Sequence, residues 1–256
     1  MILPCNPSIS NKNAKNEGGY RVPVYEIFFS FQGEALYTGV PQIFVRFAGC
    51  NIKCNYCDTP YSIAVSENTQ LYTSDDLFVK ILELYKNNRQ KFTAGNPFIA
   101  FTGGEPLIYS EFLKILLPRL KKEGFSIYLE TNGTLSQKLK QIVKLCDVIS
   151  MDFKLTSECG ISFWKEHRKF LKIATDNATS ETFIKCVITK NTNILEIKKS
   201  VSIINDIAKK THLVLQPSVD KNIPAIEDLY KFYTEAKKLI PNVSLMVQMH
   251  KIYNIR

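Results

Sequence analysis

At 256 residues, 45% hydrophobic and 22% charged, the chain has the make-up of a globular protein with a sizeable core, in one large α/β domain or two small ones. No apolar run approaches the roughly 18–20 residues that cross a membrane, and the polar opening MILPCNPSISNKNAKNEGGY lacks a secretory apolar region. The net charge of +9 is carried by lysines scattered over segments such as LKKEG, EIKKS and EAKKL, a pattern of solvated helix faces and not the clustered footprint of a nucleic-acid binder.

Residues 1–22 read as a flexible lead-in and 23–256 as one domain, with no internal repeat, linker or low-complexity tract. The first strand expected is 42–48, and a cysteine-rich loop follows it. Thr73, with an acidic residue three positions on, opens a helix whose Leu77, Ile81, Leu84 and Tyr85 form one stripe. Further strands are expected at 98–102, 126–130, 148–152, 182–189, 212–216 and 243–248. Between the last three run helical stripes, Ile197, Val201, Ile204 and Ala208, then Leu229, Phe232, Tyr233, Ala236, Leu239 and Ile240. Such alternation implies parallel strands joined by right-handed crossovers. Seven strand candidates fall short of a closed eightfold barrel. The expected fold is therefore α/β, an open partial (β/α) barrel of about six parallel strands, with a doubly wound sheet as the alternative.

Cys50, Cys54 and Cys57 stand at C-x3-C-x2-C spacing in GCNIKCNYCDT, with no further cysteine or histidine at a matching interval. Structural zinc and electron-transfer centres are closed by four protein ligands, whereas a catalytic centre keeps a position open. Three thiolates on one tight loop can hold three irons of a [4Fe–4S] cluster and leave the fourth iron free for chemistry. A zinc site would need a distant fourth ligand, such as Cys5 or His250. The odd total of seven cysteines, without a disulfide-like framework, points to a reducing compartment, the cytoplasm. Cys146 and Cys186 lie in apolar runs and are expected as buried core thiols. Cys5 and Cys159 have no assignable role.

Loops at the carboxyl ends of parallel strands share one face and build the active site. The cysteine loop, TGGEP (102–106), ETNG (130–133), SMDFK (150–154) and LQPS (215–218) all occupy such ends. Gly103 and Gly104 allow a polar cofactor to approach the backbone, with Glu105 beside them. Glu130 and Asn132 offer a carboxylate and an amide that can bind a ribose or an amino group.

A cysteine loop after the first strand, GGEP after the second and ETNG after the third resemble the radical S-adenosylmethionine (SAM) superfamily. In that superfamily three cysteines bind a [4Fe–4S] cluster, and the amino and carboxylate groups of SAM chelate the open iron. Reductive cleavage of SAM then gives a 5′-deoxyadenosyl radical that takes hydrogen from substrate. The pieces SFQGE, PQIFVRFAGCNIKCNYCDT, MDFK, FIKCVIT, LQPS and QMHK further resemble the 7-carboxy-7-deazaguanine synthases, from about residue 24 to the C-terminus.

This resemblance implies a lyase that contracts the ring of 6-carboxy-5,6,7,8-tetrahydropterin to 7-carboxy-7-deazaguanine with release of ammonia, on the route to queuosine. It implies Mg2+ beside the cluster and SAM, electrons from a donor such as flavodoxin or ferredoxin, a homodimer, and no nucleic-acid or membrane partner. By position, Phe31, Gln32, Gly33, Glu34, Arg46 and Thr102 match substrate contacts, and Thr59 matches the magnesium ligand. Tyr56, Cys57, Asp58, Gly104 and the segment Ser150, Asp152 and Lys154 match SAM contacts. Two departures stand out: Ala35 where the family more often has a second glycine, and SMDFK in place of a shorter Ser-Pro-Lys. The competing readings are an activating enzyme that installs a glycyl radical on a partner protein, and a zinc-bearing nucleic-acid module, which the GGEP and ETNG turns do not fit.

Overall fold

The structure is a computed structural model describing residues 20–92, 95–177, 179–220 and 222–255. The expected lead-in and Cys5 thus lie outside the described residues as far as residue 19, and Val22, expected within the lead-in, already begins a strand. Nine strands form one sheet: β1 (Val22–Phe31), β2 (Pro41–Phe47), β3 (Gln70–Tyr72), β4 (Phe98–Gly103), β5 (Ser126–Thr131), β6 (Val148–Asp152), β7 (Glu181–Ile188), β8 (His212–Pro217) and β9 (Val243–Leu245). Their order is β3-β1-β2-β4-β5-β6-β7-β8-β9, and among the described residues no pairing joins β3 to β9 to close the sheet. β2 and β4 through β9 run parallel, seven strands where about six were expected. β1 and β3 run antiparallel at the β2 edge.

Among the described residues there are also eight α-helices: α1 (Ser74–Asn88), α2 (Ser110–Lys122), α3 (Ser136–Ile142), α4 (Thr156–Cys159), α5 (Trp164–Thr175), α6 (Ile194–Ala208), α7 (Ile226–Lys237) and α8 (Met249–Ile252). Thr73 caps α1 in a two-way box with Asp76: Asp76 N–H donates to Thr73 Oγ1 (3.1 Å), and Thr73 N–H donates to Asp76 Oδ2 (3.2 Å). The α6 and α7 stripes face the core as expected, except that Leu239 lies beyond the end of α7 and is exposed. β1 was not expected. Its run VPVYEIFFSF is rich in strand-forming residues, but Pro23 and the lack of clean alternation hide it.

Alternation along the parallel strands sorts two layers. Ile43, Val45, Ile99, Phe101, Ile127, Leu129, Ile149, Ile184 and Leu213 point outward and join the large core beneath the helices. Cys146 and Cys186 are buried in the same core, as expected. Inward, Phe44, Ala100, Tyr128, Val148, Phe183 and Val214 meet Phe28, and Ala35, Leu36 and Tyr37 close the base. Two residues further along, the inward positions turn polar: Arg46, Thr102, Glu130, Ser150 and Lys185 all line one cavity.

Ala35, at the family's glycine position, holds a left-handed φ of +53° while buried. The loop therefore keeps a conformation that glycine favours, at a cost of roughly 1–2 kcal/mol.

Ile99 is fully buried on central β4. Ile99→Ala should lower the unfolding free energy by about 2–5 kcal/mol, read as a lower urea midpoint at unchanged slope.

Candidate active site

A cavity of about 680 Å3 opens where the parallel strands end. Cys50, Cys54 and Cys57 all line it. Their loop is pinned by its backbone: Gly49 N–H donates to Ser62 O (2.8 Å), Cys50 N–H to Ile63 O (3.0 Å), and Cys57 N–H to Cys54 O (3.2 Å). The end of β4 presses against it, with Gly104 N–H donating to Phe47 O (3.1 Å) and Glu105 N–H to Gly49 O (2.8 Å). A Cβ on Gly104 would stand 2.0 Å from the Gly49 carbonyl oxygen, and Gly103 has φ +125°, so neither position admits a side chain without displacing the cysteine loop. Three soft thiols on one wall suit iron. Burial pushes the Cys50 thiol up to about 12 and raises that of Cys57, so these are thiols that a bound cation would convert to thiolates. A hydrogen bond with Cys159 holds Cys54 down at about 7.

The residues matched to SAM lie beside this loop. Lys154 Nζ donates to Asp152 Oδ2 (2.7 Å) and to the Tyr56 hydroxyl (3.2 Å), and stands 5.1 Å from the Tyr56 ring centre. Burial alone would depress the Lys154 ammonium, but Asp152 overrides it and keeps the lysine charged. Asp152 Oδ1 is a buried acceptor without a hydrogen-bond partner among the described residues, on a residue that lines the cavity. An ammonium or ribose hydroxyl of SAM would satisfy it. Ser150 lines the same wall.

One expected cofactor contact, Glu105, is corrected. Glu105 is fully buried and lies behind the cavity wall. Its oxygens accept from Leu107 N–H (3.0 Å), Thr131 Oγ1 (2.8 Å) and Asn132 N–H (2.8 Å). Burial raises it to about 7, against these donors. Asn132 lines the cavity, but its amide is occupied. Nδ2 donates to Asn51 Oδ1 (2.9 Å), and Oδ1 accepts from Thr134 N–H (3.1 Å), tying the ETNG turn to the cysteine loop.

Glu130, expected on the cofactor side, joins the residues matched to substrate. Its carboxylate accepts from Gln32 Nε2 (2.8 Å) and from Thr102 Oγ1 (2.7 Å). Arg46 Nε pairs with Glu26 Oε1 at 2.7 Å, with its guanidinium carbon 5.8 Å from the Phe28 ring centre. Phe31 and Gly33 also line the cavity. Gly33 is required by packing as well, because a Cβ there would lie 2.4 Å from His250 Nδ1. Met249 N–H donates to Gly33 O (2.8 Å), which seats α8 over the substrate loop.

Glu34, Asp58 and His250 each present a ligand atom within 4.8 Å of the others. Burial opposes ionisation of both carboxyls, but Lys185 holds Glu34 below its ordinary value and His250 does the same for Asp58. Thr59 lines the cavity next to Asp58, its hydroxyl 4.0 Å from Cys57 Sγ.

Three residues escaped the sequence. Lys185, inward on β7, pairs with Glu34 and faces Asp152 Oδ2 at 3.6 Å, linking the substrate and cofactor sides. Cys159 Sγ touches Cys54 Sγ at 3.4 Å. His167, on α5, is fully buried and stacked on Phe153 (4.7 Å), with Nε2 3.2 Å from Asn132 O and 3.4 Å from Lys154 N. It fixes two cavity loops from behind. Lys185 lies in FIKCVIT, but nothing local gives the direction of its side chain, and each of the three acts through a contact distant in sequence.

Burial drives His167 from 6.5 down to about 3. The unfolded histidine therefore takes up a proton near pH 5 that the folded one refuses. Stability should be fully present above pH 6.5 and fall by about 1.4 kcal/mol per unit as pH drops towards 3. His167→Gln keeps a donor for the Asn132 carbonyl and removes this slope. Urea unfolding of both proteins at pH 6, 5 and 4 gives the difference, and a constant gap would contradict the assignment.

The model of the radical SAM superfamily matches residues 44–202. The 7-carboxy-7-deazaguanine synthase of Geobacter sulfurreducens is 35% identical over 203 residues, 75% of this chain and 80% of that protein. That of Archaeoglobus fulgidus is 32% identical over 241 residues, 92% of this chain and all (100%) of that one. The crystal structure of QueE from Escherichia coli shares the fold, with a TM-score of 0.56 at 22% identity over 88% of this chain and 94% of that chain. The chain belongs to the radical SAM superfamily and, within it, to the 7-carboxy-7-deazaguanine synthases.

Proposed function

We propose that this chain is the lyase that converts 6-carboxy-5,6,7,8-tetrahydropterin to 7-carboxy-7-deazaguanine, releasing ammonia, in deazapurine (queuosine) biosynthesis. Membership of the superfamily brings a [4Fe–4S] cluster and SAM. When bound, they supply the 5′-deoxyadenosyl radical that takes a hydrogen atom from the substrate. Cys50, Cys54 and Cys57 would hold the cluster, and Tyr56, Asp58, Gly103, Gly104, Ser150, Asp152 and Lys154 would hold SAM beside it.

The observation that carries the reading is one cavity with two unlike sets of lining residues, the thiols of Cys50, Cys54 and Cys57 and a hydrogen-bonded set of Gln32, Thr102 and Glu130 with Arg46. Glu130 orients the Gln32 amide and Thr102 hydroxyl, and such an array suits the donors and acceptors of a pterin edge. A guanidinium suits its carboxylate. The volume of about 680 Å3 fits small-molecule sites. The seating of α8 on Gly33 opposes the open groove that a glycyl-radical protein loop would need.

Thr59 is the proposed magnesium ligand, with Asp58 offering a carboxylate oxygen nearby. Magnesium's preference for oxygen argues against His250 as a ligand. A homodimer in the cytoplasm, fed electrons by flavodoxin or ferredoxin, completes the proposal and rests on the family resemblance. Among the described residues no helix is long and apolar enough to cross a membrane.

Anaerobic reconstitution, followed by incubation with SAM, reductant, Mg2+ and 6-carboxytetrahydropterin, should give 7-carboxy-7-deazaguanine over many turnovers by mass spectrometry. 5′-Deoxyadenosine without a deazapurine would overturn the substrate. Glu130→Gln should raise KM for the pterin about tenfold, the scale of one charged hydrogen bond at roughly 1.5 kcal/mol, and leave SAM affinity unchanged. Weakened SAM binding instead would return Glu130 to the cofactor side.

A further inference from the structure

Among the described residues, Cys159 is a buried thiol whose sulfur touches that of Cys54 in the cysteine loop. It ends α4, is 9% exposed, and is walled by Ile52 and Phe163. The segments are held in register beside the pair, because Asn55 N–H donates to Glu158 O (3.0 Å) one residue from each cysteine. Cys159 N–H is itself tied to Leu155 O (3.1 Å). The two sulfurs are in contact at 3.4 Å, and a bond between them needs only closure to about 2.05 Å.

We propose that Cys54 and Cys159 form a disulfide in the iron-free chain, so that Cys159 is a covalent modification site that withholds one cluster ligand until it is reduced. The oxidant is a disulfide of the glutathione class. The Cys54 sulfur attacks one sulfur of oxidised glutathione, whose S–S bond breaks and releases one glutathione. The Cys159 sulfur, having lost its proton, then attacks Cys54 in the mixed disulfide and expels a second glutathione. Two protein thiols lose two electrons, and the glutathione disulfide gains them.

Cys50 also packs against the Ile52, Cys159 and Phe163 cluster, but the sulfur-to-sulfur contact at 3.4 Å is made by Cys54, which is why the cross-link is expected there. The inference rests on Cys54 being a cluster ligand, which the test examines separately.

The full-length chain, stripped of iron, is treated with oxidised glutathione, alkylated and digested with trypsin. Residues 54–80 should be found linked to residues 155–165, with fragmentation placing the bond on Cys54 and not Cys57. Iron uptake by this oxidised protein should fall several-fold and return after dithiothreitol. Cys159→Ser and Cys159→Ala, given the same oxidation, should still take up iron like the reduced wild type. A Cys54 link to Cys50 or Cys57, or no link, overturns the proposal. So does loss of iron by unoxidised Cys159→Ser and Cys159→Ala, which would make Cys159 a ligand. If unoxidised Cys54→Ser loads iron fully, the assignment of Cys54 to the cluster fails instead.

Discussion

A period of two along seven parallel strands governs where chemistry can sit in this protein. Phe44, Ala100, Tyr128, Val148 and Phe183 face inward at the base and pack into a floor. Because the strands are in parallel register, the next inward positions rise together. Arg46 pairs with Thr102, Glu130 with Ser150, and Asp152 with Lys185 as lattice neighbours. Polar side chains from five strands thus line one cavity without any loop having to place them. A slip of one residue in any strand would send its charge into the helix layer and its leucine or isoleucine into the cavity. Register is therefore fixed by the core and inherited by the site.

A second tier of buried polar groups holds the loops above that floor. Glu105 and His167 never meet the cavity, yet each grips the ETNG turn, one through Thr131 and Asn132 and the other through the Asn132 carbonyl. Asn132 passes the constraint on to Asn51 in the cysteine loop. Such groups are costly to bury unless satisfied. Their donors and acceptors are mostly backbone, which makes them sensitive to loop position and suits them to fixing it.

This division explains what the sequence could disclose. The cysteine loop, GGEP and ETNG were legible because each is a contiguous turn with special residue chemistry. The parallel strands were legible because their apolar runs are bounded by those turns. Lys185 was not, since a lone lysine in FIKCVIT looks like a solvent-facing break in a strand until the inward direction is known. Cys159 and His167 carry no motif of their own, His167 sharing the buried stripe of α5 with Phe170, Leu171 and Ala174, and their partners are 105 and 35 residues away. Glu105 was placed at the right loop but on the wrong side of it, because sequence gives adjacency to a turn and not the direction of a side chain.

Charge pairing in the cavity has a consequence for the ligand it can accept. The basic side chains lining the cavity are Arg46, Lys154, Lys185, Lys251 and, when protonated, His250. Each already faces a carboxylate: Glu26, Asp152, Glu34, Asp220 and Asp58 respectively. Glu130 adds a sixth carboxylate, held by the neutral Gln32 and Thr102. An anionic pterin entering this site, even one held by Arg46, meets only basic groups that are already shared with carboxylates among the described residues, and desolvating an unbalanced charge is expensive. The magnesium proposed on Thr59, close to Asp58, would supply the missing charge. On this reading magnesium is needed less as a catalyst than as the counter-charge that an internally neutralised cavity lacks.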